Sequence, residues 1–205
     1  MRISVFGASS CRQNEFEAQL AYRIGKELAK LGVVVVNGAR TGVMQAVSRG
    51  AQTSGGEVWG VMRNRMSVCN PYVTTQIICD DSEDQQMSYE MGMSIRTARL
   101  LESDGFIVIL GPSSGVGTHK ELSALFECEL HGWHPTRPCA VLTPYNWLYS
   151  EIAAAFGINL KKEVEYSLIR EHEYQDWLRM YYHDCAEDES LKIRAAIKFV
   201  TGQTE

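Results

Sequence analysis

No apolar run in this 205-residue chain approaches the roughly 20 residues that span a bilayer. The N-terminus, Met-Arg-Ile-Ser-Val-Phe-Gly, lacks the long apolar stretch and small-residue cleavage site of a signal peptide, and is expected to start a strand. A basic excess is missing too. The net charge is −5, which argues against general nucleic-acid binding, because that needs a basic face. The six cysteines, Cys11, Cys69, Cys79, Cys128, Cys139 and Cys185, are scattered and suggest no disulfide framework. Without an export signal they are expected to be reduced thiols in a cytoplasmic protein. No internal repeat, low-complexity tract or linker marks a boundary, so residues 1–205 are expected to form one domain with a substantial core. A Gly-x-Gly-x-x-Gly fingerprint is absent after the first apolar run, which counts against NAD or FAD without excluding another nucleotide.

What is present is alternation. Residues 2–7 read as a strand and 15–31 as an amphipathic helix, with Phe16, Leu20, Ile24, Leu28 and Leu31 at helical spacing. Gly32 stands where a helix-ending glycine belongs. Four consecutive valines, Val33 to Val36, predict a strand buried on both faces. A helix over 43–51 and a strand over 57–62 follow. This order implies right-handed crossovers and an α/β fold: a Rossmann-like, doubly wound, mainly parallel sheet with helices on both faces. Residues 63–90 are the least regular part, and their acidic run, Asp80-Asp81-Ser82-Glu83-Asp84, reads as a solvated loop. Helices are expected over 88–101, 147–156, 173–182 and 191–200, a strand over 138–142 and an edge strand over 163–167. The aromatics Tyr166, Tyr174, Trp177, Tyr181 and Tyr182 lie at roughly helical spacing and are expected to pack the C-terminal segment or a subunit interface.

The stretch that draws most attention is 106–121. Phe106 to Leu110 is a short apolar run, read as a buried parallel strand, and Gly111-Pro112 stops it. Ser113 to Gly117 offers small side chains and free amides, and Thr118 opens a helical pattern. A small-residue loop leading into a helix N-terminus makes an anion site, since the first helical amides lack partners and the dipole favours negative charge. A plain turn, with Thr118 as N-cap and Glu121 closing a capping box, is the other reading. Ligands of open α/β sheets sit beyond the C-terminal strand ends, where strand order reverses. Three Gly/Ser/Thr-rich loops leave such ends, at 7–10, 37–42 and 111–118. Their convergence predicts a phosphorylated small molecule.

These residues resemble the LOG family, the cytokinin riboside 5′-monophosphate phosphoribohydrolases, whose relatives were once labelled possible lysine decarboxylases. Gly38-Ala39-Arg40-Thr41-Gly42-Val43-Met44-Gln45-Ala46-Val47 is similar to that family's second loop, Gly-Gly-Gly-x-x-Gly-Leu-Met-Gly-Ala-Val. Ser113-Ser114-Gly115-Val116-Gly117-Thr118-His119-Lys120-Glu121 lies over its Pro-Gly-Gly-x-Gly-Thr-x-x-Glu. The similarity runs from the first strand to about Tyr149. Ser114 stands where the first motif glycine would be, and Pro112 is displaced by one. The family's catalytic Arg-Lys pair has Arg96-Thr97 as its nearest match, with Arg99 one turn later.

The resemblance implies cleavage of the N-glycosidic bond of an AMP-like nucleoside 5′-monophosphate, giving free base and ribose 5-phosphate, with no metal or other cofactor. Glu121 would stabilise the positive charge on ribose and handle the attacking water. Arg96 would contact the sugar–phosphate or help position the leaving base through its fork of donors. The phosphate would rest on amides of Gly115, Gly117 and Thr118 and on the Thr118 hydroxyl. Gly38, Ser9, Ser114, Val116 and Arg99 complete the expected binding set. The alternative is a nucleotide or nucleotide-cofactor carrier that does not hydrolyse its ligand. The resemblance also implies a homodimer or a higher homo-oligomer. Arg40 reaches either a phosphate or a surface partner, and His119 either touches ligand or sits exposed. Cys128, His131 and His134 have metal-like spacing, but structural zinc wants four ligands and no fourth is obvious, so they are expected to be a core cysteine and two helix-end histidines.

Overall fold

The computed structural model describes residues 1–64, 68–80, 88–130, 137–143, 166–167, 179–184 and 189–202. Eight strands make one sheet: β1 (Arg2–Gly7), β2 (Val34–Asn37), β3 (Val58–Asn64), β4 (Thr75–Asp80), β5 (Gly105–Ile109), β6 (Cys139–Thr143), β7 (Tyr166–Ser167) and β8 (Arg179–Asp184). The helices are α1 (Phe16–Lys30), α2 (Val43–Gln52), α3 (Tyr89–Leu100), α4 (Val116–Leu130) and α5 (Glu189–Thr201). The spatial order is β4-β3-β2-β1-β5-β6-β8-β7. Every neighbouring pair is parallel except β7 with β8. The chain winds outward from β1 to β4, returns to the other side of β1 as β5, and winds out again. The strand order therefore reverses between β1 and β5.

Side-chain alternation along the strands feeds two cores. Ile3, Val5, Val35, Ile107 and Ile109 face α1, α2 and α5, meeting Leu20, Ile24, Leu28, Val47 and Ile197. Phe6, Val36, Phe106 and Val108 face the other way, onto Leu100 at the end of α3 and Leu122, Leu125 and Phe126 of α4. The Phe6 and Phe106 rings stack at 5.9 Å. Central parallel strands buried on both faces require such continuous apolar runs. Gly32 adopts φ +67° and ends α1 as expected. Its amide donates to Ala29 O at 3.0 Å and that of Val33 to Leu28 O at 3.1 Å, the paired bonds of a Schellman motif.

Two expectations change. The stretch after β3 contains a strand, β4, and Asp80 at its end is buried rather than solvated. Ile77, Ile78 and Cys79 are only half-buried at this sheet edge, so the stretch lacks the strong apolar signal of a central strand. The second change is at the C-terminal end of the expected 173–182 helix, where Arg179–Asp184 forms β8, parallel to β6. Tyr181 and Tyr182 continue an approximate helical spacing, yet they belong to a short β-rich run whose tertiary pairing decides its conformation. Residues 144–165, including the expected 147–156 helix, lie outside the described residues, as do His131 and His134.

Candidate functional site

The loops after β1, β2 and β5 emerge beside the reversal point and are tied together. Val43 N donates to Ala8 O at 2.9 Å, Thr41 Oγ1 to Ser9 O at 2.7 Å, and Ser10 Oγ to Ser113 O at 3.2 Å. Gly42 adopts φ +65°, and a Cβ there would overlap Ala8 O, so a side chain would part the first two loops. Ala39 takes a left-handed φ of 59° although it is not glycine. Its amide donates to Asn37 Oδ1 at 2.8 Å and its carbonyl accepts from Asn70 N at 2.8 Å, which holds the strained turn in place. Together the loops and the neighbouring ends of β3 and α3 enclose a cavity of about 280 Å³. Ser9, Gly38, Gly115, Gly117, Thr118 and Glu121 all line it.

Arg96 is the centre of the wall. It projects from α3 and is 8% exposed. Its Nε donates to Val61 O at 3.0 Å, Nη2 to Gly38 O at 3.0 Å, and Nη1 to Glu121 Oε1 at 3.4 Å. One guanidinium thus joins the end of β3, the loop after β2 and α4. Gly38 makes room for it, because a Cβ there would overlap Arg96 Nη2. Burial pushes the Glu121 carboxyl above its ordinary value of 4.5, against the opposing pull of Arg96. Arg40 and Arg63 also line the cavity, so three arginines face this one carboxylate among the lining residues. The described lining is thus locally rich in positive charge, against the chain's net charge of −5.

The loop after β5 is partly closed on itself and partly open. Ser114 Oγ accepts from Gly111 N at 3.0 Å, and Ser114 N donates to Gly111 O at 3.0 Å. Glu15 and Glu17 brace it from α1 and the turn before it: Ser113 Oγ donates to Glu15 Oε2 at 3.2 Å and Ser113 N to Glu17 Oε1 at 3.4 Å. α4 begins at Val116, two residues before the expected Thr118 start. The Thr118 amide donates to Gly115 O at 3.1 Å, so it is not free for a phosphate, and Thr118 is not the N-cap. The amides of Gly115, Val116 and Gly117 have no acceptor among the described residues. A Cβ at Gly115 or Gly117 would meet nothing within 4 Å, so both glycines border open space.

Most expected site residues come together here, and three do not. Arg99 is exposed further along α3, pairs with Glu102 at 2.8 Å and borders a separate cavity with Arg2 and Trp59. One turn of a helix carries it away from Arg96. The Val116 side chain is 86% exposed and leaves only its amide to the site. Ser114 serves the turn instead of lining the cavity. His119 bends back to Gly115 O at 2.9 Å. Arg40, left open by the sequence, does line the cavity. Arg63 and Tyr89 were missed. Both flank the stretch read as irregular, and only the β3–α3 juxtaposition joins them.

A family model described as the SLOG cluster4 family matches residues 1–128, which include every loop of the site. The chain belongs to the SLOG cluster4 family. An uncharacterized protein of Archaeoglobus fulgidus is 31% identical over 123 residues, covering 60% of this SLOG chain and 72% of that one. Among solved structures, TM1055 superposes with a TM-score of 0.63 at 19% identity, over 98% of this chain and 99% of that one. The molybdenum cofactor carrier protein from Chlamydomonas reinhardtii superposes with a TM-score of 0.62 at 19% identity, over 98% of both chains. These structures share the Rossmann-like α/β fold. The SLOG assignment is broader than the phosphoribohydrolase family that the loop motifs resemble.

Proposed function

We propose that this SLOG protein binds a nucleoside monophosphate, or a nucleotide-like cofactor, and holds it without turning it over. The observation that carries this reading is the meeting of three tied loops, three arginines and open Gly115–Gly117 amides around one cavity at the strand-order reversal. An anionic end would rest on those amides at the N-terminus of α4. Arg96 supports a binding role more than a mobile catalytic one. Its donors are already engaged by Val61 O, Gly38 O and Glu121, which makes it part of the wall. The molybdenum cofactor carrier protein from Chlamydomonas reinhardtii has the same fold, which supports the carrier reading. The test is native purification followed by denaturation and mass spectrometry. An intact nucleotide or nucleotide-like ligand supports the carrier reading; free base with sugar phosphate sinks it.

One observation favours a second reading, cleavage of the N-glycosidic bond. Glu121 lines the cavity with a carboxyl whose affinity for protons is raised, a property suited to acid–base work. In that reaction water would attack the ribose carbon while the bond to the base breaks and its electron pair leaves with the base; Glu121 would take a proton from the water, and the departing base would gain one from solvent. Incubation with AMP and chromatography of released adenine tests it. Adenine release abolished by Glu121→Ala would establish hydrolysis; release unaffected by that change would remove Glu121 from the mechanism.

A further inference from the structure

The part of the cavity wall built by β3 and α3 differs from the part built by the loops. Met62 and Arg63 end β3, Val68 follows, and Tyr89 and Met93 come from α3; all five line the cavity. Val68 and Tyr89 are 75% and 64% exposed, so two large apolar surfaces face outward beside an otherwise polar site. The Arg63 guanidinium lies 5.4 Å from the centroid of the Tyr89 ring. Tyr89 is the first residue of α3, and Ser88 Oγ fixes that start by accepting from Met91 N at 3.2 Å. The ring is thus held at a defined helix start, with a guanidinium plane over it and thioether side chains nearby.

Resting on the nucleotide reading above, we infer that Arg63 and Tyr89 form the subsite for a planar heterocyclic base, whose phosphate lies on the Gly115–Gly117 amides. Aromatic rings and guanidinium planes both stack on heterocycles, and polarisable methionine sulfurs favour the same partners. Among the described residues no carboxylate lines this part of the wall; Glu121, the one acidic lining residue among them, belongs to α4. The cavity, about 280 Å³, suits one nucleotide and not two. The ligand class is therefore a mononucleotide with a flat base, recognised at both ends.

The test compares AMP with ribose 5-phosphate, which has the phosphate and lacks the base. Both are titrated calorimetrically into the intact protein, under conditions where chromatography shows AMP uncleaved. Tyr89→Ala is expected to weaken AMP binding about tenfold, as loss of a base–aromatic stack does. The same change should leave ribose 5-phosphate binding unaltered, and Tyr89→Phe should keep AMP affinity. Equal loss for both ligands, or no loss for either, overturns the base subsite while leaving nucleotide binding intact. Failure of the unaltered protein to bind either ligand overturns the nucleotide reading together with the subsite.

Discussion

Arg96 shows how much of the site depends on one side chain. Three elements supply its acceptors, and a lysine could satisfy one of them but not all three, because its ammonium is a point and not a fork. Arg96→Lys should therefore destabilise the fold by about 2 kcal/mol in urea denaturation, through carbonyls left unpaired in a buried place. Gly38→Ala should mimic it from the other side by displacing the same guanidinium. Glu121 gives the site a pH signature. The folded protein holds its proton more tightly than the unfolded chain does, so the unfolded state binds fewer protons and stability falls as pH rises. That fall begins at the ordinary value of 4.5 and ends above the raised folded value. Chemical denaturation across this range should show the fall in the unaltered protein and lose it in Glu121→Gln. At this scale the sequence was informative where backbone chemistry dictates residue type. Gly38 and Gly42 were legible because a close guanidinium and a tight left-handed turn demand glycine, whereas nothing in the folded protein crowds Gly115 or Gly117. The juxtaposition of Arg63 and Tyr89 was not legible, since no spacing rule links the end of one strand to the start of a later helix.

Among elements, the packing of α1 on α2 fixes where the second loop stands. A Cβ at Gly25 would overlap Val47 O, and one at Gly50 would overlap Tyr22 O, so the two helix backbones touch through glycine. On propensity alone Gly50→Ala should stabilise α2 by about 1 kcal/mol. Here the methyl would collide with backbone that cannot step aside, and a net loss of about 2 kcal/mol is expected by thermal or urea unfolding. A net gain would show that the helices separate easily. The parallel order from β1 to β3 was readable because each strand is a short apolar block bounded by glycine-rich turns and joined by amphipathic helices. β4 and β8 were hidden for different reasons. β4 is a half-buried edge with weak patterning, and the Tyr181-Tyr182 run fits helical spacing until its pairing with β6 is known.

For the whole molecule, a ligand bound only by the folded state must raise its stability. AMP at a hundredfold excess over its dissociation constant adds about 2.7 kcal/mol, a rise in unfolding temperature of about 5–10 °C for a chain of this size. No helix among the described residues is long and apolar enough to cross a membrane. The proposal that residues 1–205 form one domain requires a single cooperative unfolding transition, and the proposed homodimer requires twice the chain's 23.0 kDa in light scattering.

The central claim, that an anion rests on the amides at the start of α4, is tested most directly by calorimetric titration of Gly117→Leu with AMP. A Cβ at this position meets nothing within 4 Å in the free protein, so folding and unfolding temperature should be preserved while the side chain fills the cradle. The expected result is a normally folded protein that no longer binds AMP. Undiminished AMP affinity in that variant would contradict the claim.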